Sequence, residues 1–222
     1  MIISDTHKKF ITNALIDLEN YDSQRPLGHA YQFHSHSERV AQTMKKLALK
    51  MGYDSEMAET LYWVTLPHDM GKMAFDIPLW DYKDSDGKPT KPPEEIKMIR
   101  RRHTTEGINF MQQTFGDNFD TDPVLKLMAD LMENHHEAMN GSGFLGKTGD
   151  QLSREVRMLC IVDAADGWSI IRPHKKPSDV TPDKVYNKMS VTNAGQFDPE
   201  ILSIFKEIIL CPSKHSLSQQ PA

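Results

Sequence analysis

Apolar residues recur along this chain at three- and four-residue intervals, and no stretch alternates apolar and polar positions long enough for a strand. Phe10, Ile11, Ala14, Leu15 and Leu18 predict a first helix, with Ser4 or Asp5 as its cap. Val40, Met44, Leu47, Ala48 and Met51 predict a second that Gly52 stops. Met57, Leu61 and Val64 follow in a third, opening near Asp54. Pro92-Pro93-Glu94-Glu95 opens a long fourth helix through Met98, Phe110 and Phe115, and Asp122-Pro123 a fifth reaching about Asn134. Ser153 opens a sixth, and Thr181-Pro182 and Asp198-Pro199 begin two shorter ones. The expected fold class is all-α, a helical bundle. Residues 76–93 and 138–152 interrupt it as turn-rich connections, long enough to carry function.

Composition narrows the possible roles. The 222 residues suit one large domain, with 1–27 read as an N-terminal helix packing on a domain of 28–210 and 211–222 as a frayed tail. A net charge of −5 argues against binding duplex nucleic acid, and no apolar run is long enough to span a membrane. The start, MIISDTHKKF, has no secretory pattern, and two cysteines make no disulfide framework; Cys160 sits in an apolar run as a small core residue. A cytoplasmic location is expected.

The chemistry lies in His36, His68-Asp69, His103, His135-His136 and Asp163, separated by 27 to 34 residues and so placed on different helices or helix ends. Imidazole and carboxylate without thiolate suit Fe or Mn. An Asp can bridge two cations through its two oxygens, and paired metals are a recurrent hydrolytic device. His7, His29, His34 and His215 have no such partners in the pattern and read as ordinary surface or satisfied residues.

The local strings at these positions are HSERV (36–40), HDMGK (68–72), HTTEG (103–107), HHE (135–137) and VDAAD (162–166). In this order and spacing they resemble the HD-GYP family of the HD superfamily of metal-dependent phosphohydrolases. The stretch from HHEAMNGSGFLGKTGDQL to IIRPHKK is similar to that family's HHE-x-x-DGSGYP…RPYRK segment, and GQFDPEILSIF (195–205) to its closing motif. The resemblance covers residues 28–206. It implies an HD-domain bundle with a multinuclear centre, two divalent ions held by His36, His68, Asp69, His103, His135, His136 and Asp163, and Asp69 as the bridge. It further implies Lys72 near the scissile phosphate, Arg172 and Lys175 on the ligand's phosphates, and Asp166 as support for a ligand.

The implied activity is phosphodiester hydrolysis, in a cyclic dinucleotide such as cyclic di-GMP, with a signalling protein as a possible partner. A phosphohydrolase for another nucleotide or phosphoester, and a degenerate cyclic-dinucleotide-binding module, are the alternatives. Three departures bear on this. The GYP signature reads Gly143-Phe144-Leu145, Asn140 replaces an Asp, and Gln32 stands where some members carry a Glu for a third metal. The last points to a binuclear site. Pro67, just before His68, should distort the helix end there.

Overall fold

The computed structural model describes residues 2–25, 32–83, 85–88, 91–171 and 176–210. Among these no extended strand occurs; Asn140 and Thr148 form an isolated bridge, and helices and turns make up the frame. No helix among them is long and apolar enough to cross a membrane. The tail read from the sequence, 211–222, which includes Cys211, lies outside the described residues.

Helix α1 (Asp5–Ser23) is capped by Ser4, whose hydroxyl accepts from the His7 amide. His7 then joins the starts of two helices: its Nε2 lies 3.0 Å from Asp122, which itself caps α6 (Pro123–Asn134). Helix α2 (Phe33–Lys50) is the central element. Val40, Ala41, Met44, Leu47 and Ala48 are fully buried, and each large side chain so placed contributes about 1.5–3 kcal/mol. It packs on α3 (Ser55–Thr65) and α7 (Arg154–Ser169), and Ile11 and Ala14 of α1 join the same core. Asp54 and Ser153 cap α3 and α7 through the amides of Met57 and Val156. The chain closes with α8 (Pro182–Asn187), one π turn (Lys188–Thr192) and α9 (Pro199–Leu210).

The long fourth helix expected from the sequence is two helices, α4 (Glu94–Arg101) and α5 (His103–Phe115), broken at Arg102. Side chains cause the break. The His103 ring donates to the Arg100 carbonyl at 2.6 Å, and the Thr104 hydroxyl donates to the Arg101 carbonyl at 3.2 Å, occupying acceptors that a continuous ladder would use.

Pro67 acts as its ring dictates. Helix α3 ends at Thr65, and a 3₁₀ turn, Met70–Ala74, follows the Pro67-His68-Asp69 corner. That turn lies directly on α5 because residue 71 has no side chain. A Cβ on Gly71 would meet the His103 carbonyl oxygen at 1.9 Å and the Gly107 amide nitrogen at 2.4 Å. The close approach sets Asp69 and Lys72 beside His103.

Candidate metal centre

Three of the histidines stand at element boundaries and are oriented in one way. His68 Nδ1 donates to the Thr65 carbonyl (2.9 Å), His103 to Arg100 (2.6 Å) and His135 to Met132 (2.8 Å), each three residues upstream. A carbonyl only accepts, so Nδ1 carries the proton and Nε2 faces inward as a lone pair. His36 uses a carboxylate instead: its Nδ1 lies 2.7 Å from Asp166, which Arg39 grips at 2.7 and 2.9 Å. Asp166 thus supports a ring of the cluster, as the resemblance implied.

The Asp69 carboxylate joins these rings. Its Oδ1 is 3.3 Å from His103 Nε2 and 3.7 Å from His135 Nε2. Its Oδ2 is 3.6 Å from both His36 and His68 Nε2, and also contacts the Lys72 ammonium. Two groups of potential ligand atoms, each within 4.8 Å of one another, therefore share Asp69: one adds His103, His135 and His136, the other His36 and His68. Asp163 lies outside both compact groups but touches each, with Oδ1 at 2.9 Å from His36 and 3.8 Å from His68, and Oδ2 at 3.9 Å from His136. All seven residues expected as ligands converge. Arg172 and Lys175 lie outside the described residues.

Charge in the cluster is arranged for cations. Burial pushes the Asp69 carboxyl up, but Lys72 and the surrounding imidazoles outweigh it and hold it well below the usual range. Asp163 is likewise held low, chiefly by His36 and His68 against burial. Burial keeps His68, His103 and His136 below the ordinary imidazole value, hence neutral and able to donate a lone pair. His36 goes the other way. Burial lowers it, yet its bonds to Asp163 and Asp166 prevail and raise it to about 9.

Two buried atoms aimed at the centre, His68 Nε2 and Asp69 Oδ1, have no hydrogen-bond partner. Orphaned polar atoms in a dry interior cost on the order of 1–3 kcal/mol each, and a cation is the partner that this donor set fits. The cluster has the composition and geometry to hold divalent metal.

A cavity of about 260 Å³ opens from the His103 and His136 side of the cluster, with Lys72, Lys97, Arg101 and Phe144 around it. Phe144 is held there by Glu137, whose carboxylate accepts from the Leu145 and Lys147 amides at 2.7 Å each. Gly143 passes so close to Glu137 that a Cβ would meet its Cα at 2.4 Å. Lys72 is buried, with its ammonium 4.4 Å from the Phe33 ring centre. Gln32 is the N-cap residue of α2, exposed, with its Oε1 3.4 Å from the Ser35 hydroxyl. Arg101, Lys97 and Phe144 were not singled out from the sequence as cavity residues. On an unbroken helix, Arg101 would point about 200° away from His103, and only the break at Arg102 brings both to one cavity.

The HD domain family matches residues 33–168. The chain belongs to that family. Among similar proteins, a 3′3′-cGAMP-specific phosphodiesterase of Vibrio cholerae is 27% identical over 76% of this chain and 36% of its own length. A cyclic di-GMP phosphodiesterase of Pseudomonas aeruginosa is 29% identical over 78% of this chain and 38% of its own. This HD chain thus spans little more than a third of those relatives. An HDG"Y"P protein of Bdellovibrio bacteriovorus shares the fold, with a TM-score of 0.61 at 18% identity, covering 93% of this chain and 62% of that one. The HD domain read from the motifs is borne out.

Proposed function

We propose that this HD domain is a metal-dependent phosphodiesterase acting on a cyclic dinucleotide. One observation carries the reading: a single buried carboxylate, Asp69, faces His103 and His135 with one oxygen and His36 and His68 with the other. That is the arrangement a shared ligand of two ions requires. His36, His68, Asp69 and Asp163 would hold one ion, and Asp69, His103, His135 and His136 the other. Five imidazoles and two carboxylates, with no thiolate, suit Fe or Mn. When bound, such a pair supplies Lewis acidity toward a phosphoryl oxygen and lowers the pKa of water to about 7.

The chain's own residues do the rest. Lys72, buried beside Asp69, presents its ammonium to the face where a phosphate must lie and offsets charge that develops on it. The Nδ1 bonds of His68, His103 and His135 fix the rings before substrate arrives, so little reorganisation remains at reaction. The named activities of the relatives support a cyclic dinucleotide as the substrate. Arg172 and Lys175 are assigned to its phosphates by the motif resemblance alone.

The test is to purify the protein anaerobically with its native metal and incubate it with cyclic di-GMP, 3′3′-cGAMP and cyclic di-AMP, following products by chromatography. Release of a linear dinucleotide from at least one is expected. Full metal occupancy with no hydrolysis of any would refute the reading and leave another phosphoester, or binding alone, in its place.

A further inference from the structure

The cavity beside the metal cluster has a chemistry that the seven clustered residues do not explain. His103 and His136 belong both to its wall and to the cluster, so a ligand with a phosphate at the centre extends into this space. The Phe144 ring lies 4.5 Å from the His136 ring at 39°, and the Arg101 guanidinium stands 4.8 Å from the Phe144 ring centre. Arg100 is already committed, donating to the Leu79 and Trp80 carbonyls at 2.7 and 3.0 Å. Arg101 is held differently: its pairing with a Glu94 oxygen is long, at 3.5 Å, and its other contact, 3.5 Å to the Met98 sulfur, is to a weak acceptor. A guanidinium has five N–H donors in a planar fork suited to phosphate, and these contacts leave that geometry largely unspent.

Three ligand classes can be weighed against this wall. A purely apolar ligand would take water from Arg101 and Lys97, which share the exposed Glu94 carboxylate at 3.5 and 3.1 Å, and give them no contact in return. An inorganic anion would leave the Phe144 ring unused. A molecule with a flat ring and a phosphate uses both. At about 260 Å³ the space is just under the roughly 300–1,000 Å³ of small-molecule pockets, a size that matches one nucleotide unit.

We infer that Arg101 and Phe144 form a subsite for a single nucleotide unit, Phe144 packing on its base and Arg101 pairing with its phosphate. The inference rests on the cyclic-dinucleotide reading and deepens it: the unit is one half of that substrate, or the mononucleotide left when a linear product is cut again. Phe144 then stands where the family signature has tyrosine, and keeps the ring without the hydroxyl.

Equilibrium binding to the metal-loaded chain tests this with three probes: guanosine 5′-monophosphate, adenosine 5′-monophosphate and ribose 5-phosphate. Base stacking on an aromatic side chain is worth about 1–3 kcal/mol by alanine substitution, and 1.4 kcal/mol is tenfold. Phe144→Ala should therefore weaken both nucleotides about tenfold and ribose 5-phosphate less than twofold, whereas Phe144→Tyr should bind like the parent. Arg101→Ala should weaken all three, and Arg101→Lys should recover only part of the loss. Metal content and melting temperature, measured on each variant, separate a lost contact from a lost fold.

Unchanged nucleotide affinity in Phe144→Ala, equal losses on all three probes, or a parent that binds none of them would overturn the subsite. Turnover of cyclic dinucleotides, measured in parallel, keeps the two claims apart. A parent that binds nucleotides through Arg101 and Phe144 but cleaves no cyclic dinucleotide retains the subsite and loses the proposed activity. A parent that cleaves them with KM unaltered by either variant does the reverse.

Discussion

Lys72 and His36 flank the same carboxylates and carry different predictions. Lys72 contacts Asp69 but offers no lone pair while charged, so its removal should spare the metal and strike the chemistry. A transition-state charge contact is worth about 3 kcal/mol, and Lys72→Ala is expected to keep its metal while kcat falls about a hundredfold. A variant as active as the parent would show that the lysine only neutralises Asp69.

His36 makes a prediction about protons. Its imidazole is raised to about 9 by Asp163 and Asp166, above the ordinary value of about 6.5. In metal-free protein it is therefore protonated at neutral pH. That proton stabilises the fold fully below about pH 6.5, and the contribution is lost as pH rises through about 9. A cation taking the Nε2 position must expel it, so metal uptake at pH 7.5 should release about one proton per chain from His36, beyond any from bound water, and tighten as pH rises toward 9. Calorimetry in buffers of different ionisation enthalpy reads this directly, and His36→Gln should release about one proton fewer than the parent.

At the scale of elements, most of the bundle was legible because its determinants are local. Ser4, Asp54, Asp122 and Ser153 cap the helices they precede, and Pro67 ends α3 by its ring geometry. The break at Arg102 was not legible. It depends on two side chains taking carbonyls from the backbone ladder, while the apolar spacing runs through the position unchanged. The residues that cluster could be read from their motifs. The cavity wall could not, since Arg101 meets Phe144 only through that break and the Glu137-held loop.

The contact between the Met70–Ala74 turn and α5 is the joint on which the centre depends. Gly71→Ala places a methyl 1.9 Å from the His103 carbonyl, backbone that cannot swing aside as a side chain would. Overpacking of this kind costs about 1–3 kcal/mol or more. For a chain of this size the melting temperature should fall by about 3–10 °C, with metal content reduced as Asp69 and His103 separate. An alanine variant with parental stability and metal content would mean that the turn tolerates displacement.

For the whole molecule, a chain with a net charge of −5 gathers Lys72, Lys97, Arg100 and Arg101 at one cavity mouth. Low-dielectric walls focus such a field and raise the local concentration of an anionic ligand. Helices α2, α5 and α7, the α6 end and the corner after α3 each deliver part of the cluster, so the fold's role is to hold one carboxylate within reach of several imidazoles. Metal stoichiometry of the parent and of Asp69→Ala, reconstituted side by side and read by elemental analysis against protein concentration, tests that claim most directly. Two ions per chain are expected in the parent, and both should be lost in the variant. A parent that saturates at one ion, or a variant that keeps two, would contradict it.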